Sequence, residues 1–323
     1  MIKQLREQLI NHPLSGKFIY AALSGSHLYG TETPTSDVDV RGVFKADLED
    51  IIFQKDEKVY SFDLMLDGER VDNQFTEFRK FIYDASIGQT YALDILFANP
   101  ESIIYVDPQL GRLLLKHKDK LLSRNMSAIV HYCINQAKKY TERGKKYNTY
   151  KQLQIFLKPF KPNTKLCEID LVDAPVDIVS KVNKGTGIEE DFISIGNKLF
   201  PMNTKVNQLR MSLKTTLDNY GDRVKEAAQQ GKDFKALSHA YRLVTELEEL
   251  WLTGKITFPL KNLEFIKQIK RGEYICDDYG SELHNHIDTI LEQPTKLPET
   301  YDEDFWNSII KNAYMYPQSD PLK

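Results

Sequence analysis

Residues 24–44 read SGSHLYGTETPTSDVDVRGVF, and the fold is decided by how this stretch is parsed. Just before it, Phe18-Ile19-Tyr20-Ala21-Ala22-Leu23 is an apolar run of strand length that stops at Ser24-Gly25-Ser26. The turn-rich segment Thr33-Pro34-Thr35-Ser36 then delivers the chain into Asp37-Val38-Asp39-Val40-Arg41-Gly42-Val43-Phe44. Polar and apolar residues alternate there, the period-two mark of a strand with one buried face. Residues two apart share a face. Asp37, Asp39 and Arg41 therefore stand side by side, while Val38 and Val40 point into the core.

Two neighbouring carboxylates repel unless a cation lies between them. Hard divalent ions suit such a pair, because they take carboxylate and phosphate oxygens together. Two of them can clamp the attacking and leaving oxygens of a displacement at phosphorus. Arg41 is placed to balance the carboxylates or to touch a triphosphate. Upstream, Gly25 lets backbone approach a phosphate closely. The amides that follow and the Ser26 hydroxyl add donors. The competing reading of Asp37 and Asp39 is a solvated strand face or a turn-capping pair. His27 reads equally as a functional group or as a structural hydrogen bond to the turn.

Outward from this stretch, residues 1–12 form an amphipathic helix with Ile2, Leu5, Leu9 and Ile10 on one side. Residues 59–63 and 70–75 read as strands around the turn at Asp67-Gly68, and 76–98 as one long helix. Residues 109–146 read as two helices, the second ending in Lys138, Lys139, Arg143, Lys145 and Lys146. With Tyr140 and Tyr147 this run fits nucleic-acid contact by stacking and phosphate pairing, or simple complementarity to a helix end. Residues 150–202 carry prolines and short β-like runs, Glu168–Val172 and Phe192–Ile195, and read as a β insertion. Helix resumes over 203–253 with a break at Tyr220-Gly221. Lys235, His239 and Arg242 fall on one helix face at i, i+4 and i+7, as a cleft wall toward phosphates or acceptor or as a charged face. A second D-x-D, Asp302 and Asp304, is assigned no role, and the tail after Met315 reads as loose.

The bulk numbers exclude several classes. A chain of 323 residues with 41% apolar content builds a core, in two domains or in one with an appendage. A formal net charge of −3 argues against a general polyanion binder and against an RNA-binding protein with incidental carboxylates, but allows a local basic face. Cys133, Cys167 and Cys276 are odd in number and widely spaced, which fits a reducing cytoplasm and neither a disulfide framework nor a zinc site. No apolar run reaches membrane-spanning length.

The combined pattern resembles the DNA polymerase β-like nucleotidyltransferase superfamily. More narrowly, GSHxYG followed by SDxDxRG is similar to predicted nucleotidyltransferases of bacteria and their phages. Residues 77–101 (EFRKFIYDASIGQTYALDILFANPE), 235–260 (KALSHAYRLVTELEELWLTGKITFPL) and 269–274 (IKRGEY) resemble further blocks of that family. Gln89-Thr90 departs from an Asn-Pro common in relatives. The resemblance implies an α+β fold: a small mixed-sheet catalytic domain over 1–108, then a mostly helical domain over 109–323 with a β insertion near 150–202. It implies transfer of an NMP from an NTP, ATP first among them, to a hydroxyl of RNA, protein or a small molecule, with Mg²⁺ or Mn²⁺. Asp37, Asp39 and Asp72 are the implied catalytic metal ligands, with Asp63 and Glu77 as substitutes for Asp72. Gly25, Ser26, His27, Arg41, Lys235, His239 and Arg242 are the implied nucleotide contacts. The expected setting is the cytoplasm of a bacterium or a phage-infected host, without membrane association. The rival expectation is a silent nucleotide-binding or antitoxin-like partner module.

Overall fold

The computed structural model describes residues 1–182, 189–196, 198–274 and 279–315. Cys276 and the tail after Met315 lie outside the described residues. The architecture is α+β. The order of the first part is α1 (Ile2–Asn11), β1 (Phe18–Ser24), α2 (Gly25–Tyr29), β2 (Asp39–Phe44), α3 (Leu48–Ile52), β3 (Val59–Tyr60), β4 (Leu64–Leu66) and β5 (Glu69–Glu77). There follow α4 (Phe78–Ser86), α5 (Thr90–Leu96), β6 (Ile103–Val106), α6 (Leu110–Lys116) and α7 (Ser127–Leu157). Then come β7 (Asp177–Val182), β8 (Glu189–Ile195), β9 (Lys198–Pro201), α8 (Val206–Asp218), α9 (Asp222–Gln230), α10 (Phe234–Thr253), α11 (Leu263–Arg271), α12 (Tyr279–Glu292) and α13 (Glu303–Met315).

Two compact units divide the chain: residues 1–135 with 238–323, and residues 136–237. The division falls at 135 and 237 rather than at 108, because the C-terminal helices return to the first unit. There Leu260 N donates to Tyr29 O at 3.2 Å, and Arg124 N to Pro298 O at 2.9 Å.

A mixed sheet in the order β3-β5-β2-β1-β6 builds the first unit, with β4 paired to β5. All seven residues of β1 are buried. That explains its unbroken apolar run, since a strand covered on both faces has no polar positions. Leu5 and Leu9 of α1 join Phe18, Leu23, Val40 and Phe75 in the core on one side. On the other, Tyr20 OH donates to Ile95 O at 2.8 Å.

The helix expected over 76–98 is two helices. β5 runs through Glu77, which caps α4 by accepting from Lys80 N. Gly88, at φ +75°, separates α4 from α5. The strand expected at 59–63 shortens to β3, and β4 forms beyond it.

The second unit combines the later turns of α7 with the antiparallel sheet β7-β8-β9 and with α8 and α9. Leu153, Leu157, Ile193, Ile195, Leu209 and Leu213 form its core. The run Glu168–Val172 is not a strand. It follows a short 3-10 turn at Leu166–Glu168, whose amides reach Thr204 O and Met202 O instead. Among the described residues, no helix is long and apolar enough to cross a membrane.

Candidate active site

β2 is the centre of the site. Val40 is fully buried and Val38 packs against the core, so Asp39 and Arg41 of β2 face the other way. Asp37 lies just before the strand and is exposed; Asp39 opens it and is half-buried. Asp39 has two strand neighbours in register: Ser24 on β1, where the glycine turn begins, and Asp72 on the parallel strand β5. Register partners lie about 4.8 Å apart across a sheet. The pairing thus brings a third carboxylate to the same face.

Gly25 sits at φ +63°, and a Cβ there would fall 2.1 Å from Asp39 Oδ2. The Asp39 carboxylate therefore lies directly against the backbone of the Gly-Ser turn. A side chain at position 25 and this placement of Asp39 exclude each other. Gly42 serves the same strand differently, since a Cβ there would overlap the Phe75 ring at 2.3 Å.

Arg41 bridges strands. Its Nη2 stands 3.5 Å from Asp72 Oδ2, and Nη1 donates to Val40 O at 3.2 Å. A cavity of about 360 Å³ opens beside Asp72, lined also by Ser61, Arg70 and Asn73. The two alternative carboxylates are engaged elsewhere. Asp63 pairs with Arg70 at 2.9 Å. Glu77 is fully buried and accepts from Arg79, Lys80 N and Tyr314 OH.

The donor chemistry of Asp37, Asp39 and Asp72 fits Mg²⁺ or Mn²⁺, being all hard oxygen. Their side chains are not gathered: among the described residues, no three His, Cys, Asp or Glu side chains form a group that could hold a metal. Asp72 faces the Arg41 guanidinium instead.

The turn itself is held from below. α2 carries Ser26 and His27, both half-exposed, and Tyr29, which is buried. His27 Nε2 is buried without a hydrogen-bond partner among the described residues. Tyr29 OH donates to Asp94 Oδ2 at 2.5 Å. The Arg242 guanidinium lies over the Tyr29 ring at 4.0 Å and donates to Glu246 Oε1 at 2.6 Å. Its Nη1 is also 3.5 Å from Asp94 Oδ1, a charge contact without hydrogen-bond geometry, so Glu246 is its main partner. Arg242 is only 5% exposed, so its guanidinium faces this buried cluster and not an open cleft.

Burial pushes the carboxyls of Asp94 and Glu246 above the usual carboxylate range, against the opposing pull of Arg242. Arg41 contributes to the same pull on Asp94, which links β2 to the cluster. His239 is half-buried one turn before Arg242 on α10. Lys235 is exposed on the same helix and belongs to the second unit.

Sequence reasoning passed over Tyr29, Asp94 and Glu246. Asp94 was detectable as a lone carboxylate inside the apolar helix TYALDIL. Glu246 was detectable as the i+4 partner of Arg242.

Residues 2–157 match the family described as "RNA repair pathway DNA polymerase beta family" (RlaP). Over 337 aligned residues the chain is 25% identical to the "Uncharacterized 38.9 kDa protein in nrdC-mobD intergenic region" of Enterobacteria phage T4. That alignment covers 93% of this chain and 97% of the phage protein.

Proposed function

We propose that this chain, whose residues 2–157 match the RNA repair pathway DNA polymerase beta family, transfers a nucleoside monophosphate from an NTP to an acceptor hydroxyl. One observation carries the reading: the Asp39 carboxylate lies against the Gly25 backbone and in register with Asp72. A phosphate held at the turn is then next to the carboxylates that must face it.

In this reading Gly25 and Ser26 hold the triphosphate through backbone and hydroxyl donors. His27, on the same turn, is a further proposed nucleotide contact. Asp37 and Asp39 hold the divalent ion, and Asp72 completes the set once Arg41 releases it to pair with phosphate. Mg²⁺ or Mn²⁺ bound there supplies charge neutralisation at the α-phosphate and acidifies the acceptor hydroxyl. The acceptor oxygen forms a bond to the α-phosphorus, the bond to the pyrophosphate oxygen breaks, and the hydroxyl proton passes to Asp72 or to water. Positioning and charge stabilisation do most of the work in such transfers. Arg242, Asp94 and Glu246 act as positioning residues, fixing α2 through Tyr29. His239, one turn before Arg242 on α10, is a proposed nucleotide or acceptor contact.

ATP is the first donor to test. The family description names RNA repair, which favours RNA over protein or small molecules as acceptor. The proposed setting is the cytoplasm of a bacterium or an infected host. The Arg41–Asp72 contact supports one rival: a silent nucleotide-binding or antitoxin-like module in which that contact is permanent.

Incubation with each labelled NTP, Mg²⁺ or Mn²⁺, and total cell extract tests the reading. Label should enter the RNA fraction with release of pyrophosphate, and Asp37→Asn with Asp39→Asn should reduce it by about 1000-fold or more. Transfer that survives the double substitution refutes the assignment. Divalent-dependent NTP binding without pyrophosphate release supports the silent module.

A further inference from the structure

The net charge of −3 conceals a separation between the two units. Residues 136–237 hold 19 Lys and Arg against 12 Asp and Glu, a balance of +7. The first unit holds 24 against 34, a balance of −10. Within the second unit, residues 143–167 contain seven cations and no carboxylate. Such clustering on one part of a chain is the electrostatic footprint of a polyanion partner.

Helix-end complementarity does not explain these lysines. α7 continues to Leu157, so Lys138 through Lys146 lie in mid-helix. The macrodipole acts only within the last turn. Nor is Tyr140 a stacking platform, because it is fully buried.

The α7 face that carries Lys138 and Lys139 continues, by helical spacing, to Glu142, Lys145, Lys146 and Thr149. These last four line one wall of a groove of about 540 Å³. Asp177 of β7 and Ser194 of β8, register partners, line the opposite wall. The volume lies in the range of small-molecule sites, enough for one nucleotide. Lys145 is exposed, and Lys146 pairs with Glu142 at 3.2 Å with both side chains open to solvent. The walls thus offer ammonium groups for phosphate beside carboxylates and hydroxyls that accept from sugar or base. A site for a bare anion would not need the acceptors.

We propose that the second unit docks single-stranded nucleic acid, with one nucleotide seated in the groove between α7 and the β7–β8 edge and flanking phosphates on the lysine face of α7. The partner class rests on the transferase reading above. The location rests on charge and shape within this unit.

Binding of a fluorescein-labelled single-stranded RNA to the full-length chain, followed by anisotropy at several salt concentrations, tests the proposal. Lys145→Glu with Lys146→Glu should weaken binding about tenfold or more. It should also lower the salt slope by about 1.4, two phosphate contacts at about 0.7 each on a single strand. Lys145→Met with Lys146→Met, which keeps the side-chain packing, should move both readouts the same way. Lys181→Glu with Lys214→Glu is an equal charge change on exposed positions of the same unit outside the groove. It should weaken binding less than about threefold. Equal weakening by the two reversal pairs, or no strand binding by the unaltered chain, overturns the proposal. Asp37→Asn with Asp39→Asn should abolish transfer and leave strand binding intact, so failure of either reading is seen apart from the other.

Discussion

Gly25 and Asp39 share one space, and neither position is free to change without the other. Gly25→Ala places a methyl on the carboxylate and forces a side chain into φ +63°. The backbone strain alone costs about 1–3 kcal/mol, readable in urea unfolding. Displacement of Asp39 by about 1 Å should cut transfer by about 100-fold. A variant with wild-type transfer would show that the turn and the carboxylate work independently. Cys133 gives a second check at this scale. Burial pushes its thiol up to about 12, whereas Cys167 is exposed. A thiol reagent should label Cys167 in the native chain and Cys133 only on unfolding, as peptide mapping will resolve.

At the scale of elements, α2, α5 and α10 meet at one buried guanidinium. Arg242→Met leaves the buried Glu246 carboxyl without its hydrogen-bond donor, and should cost about 1–3 kcal/mol in denaturant unfolding. The same cluster makes stability depend on pH. Burial raises Glu246 from the ordinary 4.5 to about 8, and Asp94 is raised as well. The folded state therefore keeps a proton that the unfolded chain releases above about 4.5. Where the unfolded state binds fewer protons, stability falls as pH rises. Tm should therefore decline between pH 5 and pH 8. Glu246→Gln replaces the protonated carboxyl with a neutral amide. It should flatten that decline and raise Tm at pH 8 above the unaltered chain. An unchanged slope would place the titrating proton elsewhere.

At the scale of the whole molecule, the separation of charge predicts behaviour that the sequence pI of about 6.2 does not. At pH 7.5 and low salt the chain should be retained on heparin, because residues 136–237 carry a balance of +7. Flow-through of the unaltered chain would show that its lysines do not act as one surface. The sequence alone determined the alternation that puts Asp39 and Arg41 on one face, because strand period is a local property. It also determined the burial of β1, because an unbroken apolar run has no solvent-facing side. Break points set by single glycines were partly legible: Gly68 was read as a turn, while Gly88 was hidden inside a helical apolar pattern. What joins distant residues was not legible. The β2–β5 register that sets Asp72 opposite Asp39, the burial of Arg242 between Asp94 and Glu246, and the unit boundary that uncovers the +7 balance all depend on contacts between segments far apart in the chain. Those contacts are selected by the packing free energy of the whole fold, which no local window of residues contains.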